Sequence, residues 1–292
     1  MVELDETLSS EMISFVPWPP SWENPEHGKK PAPVPTAKKI FTETEKELLN
    51  RGIPLIVGVK DIQKIEQPDP ILQLFDPHPP NSVGHFLVTR IPAKTDVIVL
   101  QREDDGTILL EAEKFADPKN GELWKIVSPL GNIGNCVLIS NSKRSSFYML
   151  HNEQEEVAIC IRKILSDPKM KLFDVYIPLL QKETGKHVSI IFDENPYLLS
   201  QSKSETIASD VVKLSTRKPQ QKNGRKTLTF TGRVKKPSSK NFILIHPDQP
   251  TREILLCGKC KMKQFVFDLG WPLSIIQGFA IFLAMFSHPK PN

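Results

Sequence analysis

The run from Pro272 to Phe286, PLSIIQGFAIFLAMF, is apolar on every side of a helix. Leu273, Ile276, Phe279, Leu283 and Phe286 form one stripe, and Ile275, Phe282 and Met285 lie on another side. Proline opens the run, as it does at the first turn of many helices. A helix that is apolar all round must sit inside protein or inside lipid. These fifteen residues reach roughly 22 Å at 1.5 Å each, short of the ~20 residues a bilayer needs. Extension back to Phe265 supplies the length of a tail anchor, but it brings in Asp268, Gly270 and Pro272, and Gln277 adds a further polar cost. The run therefore reads as a buried core helix over 272–286, with the tail anchor as the alternative. Its large side chains contribute on the order of 15–25 kcal/mol of gross burial, an upper bound.

What surrounds such a helix is short and β-rich. Val97–Gln101 and Thr107–Ala112 flank Asp104-Asp105-Gly106, a strong hairpin signal. Further strands are expected at Phe86–Ile91, Trp124–Val127, Cys136–Ser140, Phe147–His151, Glu156–Ile164, Phe173–Ile177, His187–Phe192, Thr227–Val234, Phe242–His246, Glu253–Cys257 and Phe265–Leu269. Regular spacing of this kind suggests a mainly β sandwich or barrel.

The front of the chain differs. Thirteen of the 26 prolines fall in the first eighty residues, which forbids continuous helix or sheet there. Residues 1–37 read as disordered, 38–51 as a short helix with Ile40, Leu48 and Leu49 apolar, and 53–82 as a linker. Trp18 and Trp22 read as incidental packing or as a partner-binding motif. Charge follows the same division. Residues 1–70 carry eight Lys/Arg and twelve Asp/Glu, and the remainder has a net charge of +8. Such a body suits anionic partners. Four cysteines are too few for a disulfide framework, and the acidic start lacks the apolar core of a signal peptide, so an intracellular, reducing setting is expected.

Motifs that look chemical carry little. Cys257-Gly-Lys-Cys260 is a lone CxxC with no second pair to complete a zinc site, and its β setting does not suit a redox motif. The seven histidines form no local cluster, and His246 reads as a packing residue at a strand end. No P-loop, GxSxG, HExxH or GxGxxG occurs. No enzyme, metal or cofactor is expected.

Thr229-Phe-Thr-Gly-Arg-Val234, Ser239-Lys-Asn-Phe242, Ile245-His246, Phe267-Asp268, Pro272-Leu273 and Gln277-Gly-Phe-Ala-Ile281 together resemble the signature of the tubby family, in order over residues 228–286. Upstream, Phe86–Arg90 is similar to the family's first strand and Arg102–Gly106 to its first hairpin turn. The resemblance implies a closed twelve-stranded β-barrel enclosing the C-terminal helix, spanning 72–290 behind a Pro-rich region at 1–71. It further implies a non-enzymatic, monomeric adaptor that binds phosphoinositides such as phosphatidylinositol 4,5-bisphosphate. Such a protein is cytoplasmic and peripheral at the plasma membrane, with the cilium or nucleus as further locations and protein partners carried on the N-terminal tail. The family has a dense Lys/Arg run where this chain reads Glu111-Ala-Glu-Lys-Phe-Ala-Asp-Pro-Lys119, so only Lys114 keeps a central basic side chain. A second family arginine falls at about Pro129. Lys114, Lys119 and Lys125 are the phosphoinositide-binding residues expected on this resemblance.

A second basic feature lies elsewhere. Lys213, Arg217, Lys218, Lys222, Arg225, Lys226, Lys235 and Lys236 fall in a span without Asp or Glu, and Lys259, Lys261 and Lys263 follow on a neighbouring hairpin. Arg233, Lys240 and Asn241 belong to the signature and read as structural. The span is either a solvated loop or an electrostatic patch. The patch supports an alternative function, a barrel without a lipid pocket that regulates through protein or, less favoured, nucleic acid along 213–240.

Overall fold

A meander of antiparallel strands closes on itself around the apolar helix, so its edges are paired rather than left as templates for aggregation. The structure, a computed structural model, describes residues 69–92, 96–117, 121–152, 154–163, 172–191, 196–222, 225–230 and 232–287. The tail at 1–37 and the helix expected over 38–51 lie outside the described residues. The strands are β1 Val83–Pro92, β2 Asp96–Arg102, β3 Ile108–Asp117, β4 Gly121–Ser128, β5 Gly131–Ser140, β6 Ser146–His151, β7 Glu155–Arg162, β8 Phe173–Pro178 and β9 Val211–Thr216. After a small hairpin, β10 Gln220–Lys222 and β11 Arg225–Thr227, the wall resumes with β12 Phe242–His246, β13 Gln249–Lys261 and β14 Gln264–Gly270. The ring order runs β1 to β9, then β12, β13 and β14, which pairs back onto β1. This is the closed twelve-stranded barrel that the resemblance implies.

Period-two alternation supplies the two faces of the wall. In β4, Glu122, Trp124 and Ile126 are buried, while Leu123, Lys125 and Val127 are partly or fully exposed. Gly106 turns the β2–β3 hairpin at φ +74°, and Asp105 Oδ1 accepts a 2.8 Å hydrogen bond from Thr107 N–H. The interior is filled by α3 Ile275–Phe286, in which every residue from Ile276 to Phe286 is buried. Phe265 meets Phe282 and Phe286 edge-on, with centroids 5.8 and 5.0 Å apart. Among the described residues no helix is long and apolar enough to cross a membrane.

The helix starts later than its proline suggests. Pro272 sits in a turn after a cis Trp271–Pro272 bond, and Ser274 is the cap. Ser274 Oγ accepts from Gln277 N–H at 3.3 Å, and Gln277 Oε1 accepts from Ser274 N–H at 3.0 Å. This reciprocal pair satisfies two donors that a helix start otherwise leaves open. Gln277 Nε2 donates to Val157 O at 3.1 Å, so its amide is satisfied inside the barrel.

Three further expectations need correction. The described end of the stretch read as a linker holds α1 Leu72–Phe75, whose Leu74 is 1% exposed within the main core. His187–Phe192 is not a strand over its described residues. It makes only isolated bridges, His187 with Leu180 and Ile191 with Glu155, because it meets the start of β7 and the turn after β8 at single points rather than along a run. Thr227–Val234 is mostly an irregular strap rather than a strand: Leu228, Phe230 and Val234 pack on Ile243, Ile245, Leu256 and Val266 outside the barrel. Conversely, β9 matches none of the strands expected from the sequence. On the opposite flank, α2 Tyr197–Lys203 covers a second outer cluster through Leu198.

Candidate functional site

Antiparallel order sorts turns between two poles. The connections after β1, β3, β5, β7, β9 and β13 share one pole with the C-terminus of α3. The others share the opposite pole with its N-terminus. The opposite pole carries Glu103, Asp104, Asp105, Glu183, Glu205, Asp210 and Asp248 together with Lys182, Lys186 and Lys203, and Arg233 reaches Glu103 there. The first carries Lys143, Arg144, Lys163, Arg217, Lys218, Lys235, Lys236, Lys261 and Lys263. Two basic features far apart in sequence therefore meet at one end of the barrel.

Inside this mouth, Lys114 of β3 faces inward with Leu110 and Ala112. Its Nζ lies 2.7 Å from Oε1 of Glu122, a carboxylate whose side chain is 2% exposed. Arg144 Nη1 reaches the same oxygen at 3.0 Å. The β5–β6 turn presents Arg144 because Asn141 organises it: Asn141 O accepts from Arg144 N–H at 2.9 Å, and Asn141 Oδ1 accepts from Ser145 N–H at 2.8 Å. Lys114 Nζ also stands 5.6 Å from the Trp124 ring centroid, a cation–π distance.

Arg162, at the end of β7, completes the mouth. Its Nη2 donates to Ser287 O just beyond α3 at 2.8 Å, a cation placed on the negative end of the helix. Its guanidinium lies over Phe173 and Phe147, 5.2 and 5.6 Å from their centroids. Nε and Nη1 are buried without a hydrogen-bond partner among the described residues. Burial lowers the Arg162 pKa from its ordinary value; Glu122 opposes that shift and Arg144 reinforces it. Among the described side chains, Lys114 and Arg144 thus pair with Glu122 while Arg162 stands close enough to feel both charges, so cations outnumber carboxylates here. An oxyanion brought here would meet charge-assisted donors.

Of the expected site residues, Lys114 and Lys125 are not brought together. Lys114 pairs in register with Trp124, and Glu113 with Lys125, so Lys114 and Lys125 lie on opposite faces of the wall. Lys119 lies outside the described residues. Arg144 and Arg162 were not singled out from the sequence, where each is a lone arginine in a separate run.

The basic span also divides. Lys213 lies 3.8 Å from Asp174, and Arg217 is paired with Glu253 at 2.6 Å. Lys218 and Lys236 are exposed, and Lys235 Nζ donates to Gly232 O at 2.6 Å. Of Lys222, Arg225 and Lys226, only the backbone is described. Arg217, Lys235 and Lys236 line a groove of about 540 Å³ together with Leu228, Phe230 and Val234. The signature residues hold the fold. Arg233 pairs with Asp268 and Glu103, Asn241 bridges Lys236 O and Lys259 N–H at 2.9 Å each, and Lys240 Nζ sits 3.8 Å from the Phe286 centroid. Cys257 and Cys260 are free thiols, and burial raises the Cys257 pKa well above its ordinary value. Among the described residues no cluster of His, Cys, Asp or Glu is arranged to hold a metal.

The fold and pole define a class, the helix-threaded antiparallel β-barrel with one cationic mouth. The Tub family model matches residues 135–288, just over half of the 292 residues, and the chain belongs to that family. Lys114 and Lys125 precede the matched segment; Arg144 and Arg162 fall within it. The chain is similar to mouse Tubby-related protein 2, 41% identical over 64 residues that cover 22% of this chain and 11% of the relative. It is 29% identical to mouse Tubby-related protein 3 over 142 residues, 47% of this chain and 30% of that protein. It is 31% identical to Tubby protein homolog 1 of Caenorhabditis briggsae over 128 residues, 43% and 26% of the two chains. The matches thus span less than a third of these relatives.

Proposed function

We propose that this protein is a non-enzymatic, tubby-like adaptor that docks on phosphoinositide-bearing membrane through its basic pole. The observation that carries the reading is the mouth itself, where Lys114 and Arg144 pair with Glu122, Arg162 stands within reach of their charge, and two buried donors of Arg162 have no partner among the described residues. Phosphate oxygens are suitable acceptors, and lysines and arginines around the mouth add about 1 kcal/mol each near an anionic leaflet. A cytoplasmic protein peripheral at the plasma membrane fits this reading, with trafficking to membranes or cilia as its wider role.

Liposome co-sedimentation of the full chain tests it, comparing phosphatidylinositol 4,5-bisphosphate with phosphatidylserine at matched charge. Selective binding that weakens in Lys114→Ala supports a phosphoinositide site. Equal binding of both lipids removes the specific site and leaves a general electrostatic surface. A second reading rests on the groove of Arg217, Lys235 and Lys236, which suits an acidic protein segment or nucleic acid. Duplex DNA binding that falls steeply with salt would favour it.

A further inference from the structure

The β13–β14 hairpin ends in Lys261-Met262-Lys263, with Lys261 paired to Gln264 and Lys263 at φ +62°. Met262 is 78% exposed. A single exposed apolar side chain is ordinary on a protein surface, and its setting is what distinguishes this one. Lys259, Lys261 and Lys263 make no ion pair among the described residues, unlike Lys114 and Arg217 at the same pole. Beyond the Phe242–Cys257 pair, β13 runs on past β12; the strap flanks it as far as Lys259, whose carbonyl accepts from Lys235 and Lys236 N–H, and Cys260 to Lys263 follow as the tip. On the other side, Arg90 N–H donates to Lys263 O at 2.9 Å, which brings exposed Ile91 to the same end.

We infer that this turn is a membrane-inserting knuckle: the lysines bind anionic headgroups and Met262 enters the boundary between headgroups and acyl chains. The occupant is the surface of an anionic bilayer, chosen by charge complementarity around an apolar tip. A duplex of nucleic acid offers the lysines phosphate but gives Met262 nothing apolar to enter. Methionine suits the task because its unbranched thioether adapts to an irregular environment. The two contributions are separable. Each lysine adds about fivefold to partitioning and is screened by salt. Burial of much of the Met262 side chain adds roughly five- to tenfold and resists salt.

The inference rests on the membrane-docking reading, and the experiment separates the two. The full chain is titrated with phosphatidylcholine vesicles containing phosphatidylserine and phosphatidylinositol 4,5-bisphosphate, at low and high salt. Met262→Gln is expected to lower partitioning roughly five- to tenfold with an unchanged salt slope and unchanged melting temperature. Lys261→Gln is expected to flatten the slope. In Met262→Trp, lipids brominated near the headgroup should quench the added fluorescence relative to wild type, which carries four tryptophans of its own. Wild-type binding with an unaffected Met262→Gln and an unquenched Met262→Trp overturns the knuckle and leaves membrane docking intact. Failure of wild type to bind any of these vesicles overturns both, as does binding to duplex DNA alone.

Discussion

Gly258 in β13 lies beneath the strap that carries Lys235 and Lys236. A Cβ at this position would lie 2.6 Å from Val234 Cγ1 and 2.9 Å from Val234 Cβ, with Cγ2 closer still. Rotation of Val234 cannot relieve the contact with its own Cβ, so the strap must lift. It is held there by hydrogen bonds from Lys235 N–H and Lys236 N–H to Lys259 O, each 3.0 Å. Loss of both, at about 1 kcal/mol each, and partial exposure of Val234, at about 1 kcal/mol, oppose the roughly 0.5–1 kcal/mol that alanine gains over glycine in a strand. Gly258→Ala is therefore expected to destabilise by about 2–2.5 kcal/mol, a fall of roughly 4–10 °C in melting temperature for a domain of this size. Native-state hydrogen exchange supplies the sharper test: the Lys235 and Lys236 amides should lose about tenfold protection, with the β13–β14 amides unchanged. Val234→Ala in the same chain should recover part of the loss, because it removes the Cγ atoms. Unchanged protection at both lysines and an unchanged melting temperature would refute the view that this glycine exists to seat the strap.

Gln277→Ala removes the acceptor for Ser274 N–H and the donor to Val157 O in a site 1% exposed, and should cost about 2–5 kcal/mol by urea denaturation. A loss below 0.5 kcal/mol would mean water replaces the amide. His187 donates from Nδ1 to Pro178 O at 2.7 Å, and burial lowers its pKa to about 4. The unfolded chain then binds the proton first, so His187 contributes stability that is lost as pH falls from about 6.5 toward 4, up to roughly 3 kcal/mol. His187→Gln should flatten that part of the stability–pH curve, and an identical slope in wild type and variant would contradict it. Glu122→Gln removes the carboxylate shared by Lys114 and Arg144. It should tighten binding to anionic vesicles about fivefold while lowering the melting temperature; weaker binding by a folded variant would assign the carboxylate a role in positioning the two cations.

The core helix is legible in the sequence because no side of it tolerates water, and most wall strands because turn residues punctuate them. Val211–Thr216 is not legible, for a physical reason. Leu214 is buried in the main core and Val211 in the outer cluster beneath α2, so the segment lacks clean alternation, and Lys213 makes it resemble the start of a charge run. Thr227–Val234 misleads in the opposite way. Leu228, Phe230 and Val234 do fall on one apolar side, but only Thr227 at the start stands in a ladder, opposite Gln220, and the described residues after it pack by side chains. The mouth was half legible. Lys114 stands out through the resemblance, whereas its separation from Lys125 depends on which face each residue takes in β3 and β4. Arg144 joins it through the pairing of β4 with β5, and Arg162 through the curl of the wall from β5 to β7, which no local pattern encodes.

The meander also explains why basic charge is concentrated at one end of the barrel. In a meander, every second connection returns to the same end, so a bias confined to alternate turns becomes a pole. Lys143-Arg144 follows β5, Lys163 follows β7, Arg217-Lys218 follows β9, and Met262-Lys263 follows β13. Asp104-Asp105 follows β2, and Asp248 follows β12. Each turn alone is an ordinary solvated loop, and along the chain the signs largely cancel. Stacked at two ends of one barrel they give a field with direction, which orients the molecule before any contact forms. The helix runs along the same axis and sets its negative C-terminal end at the cationic mouth, where Arg162 binds Ser287 O. The apolar helix that requires the barrel therefore also contributes to the electrostatics of its mouth.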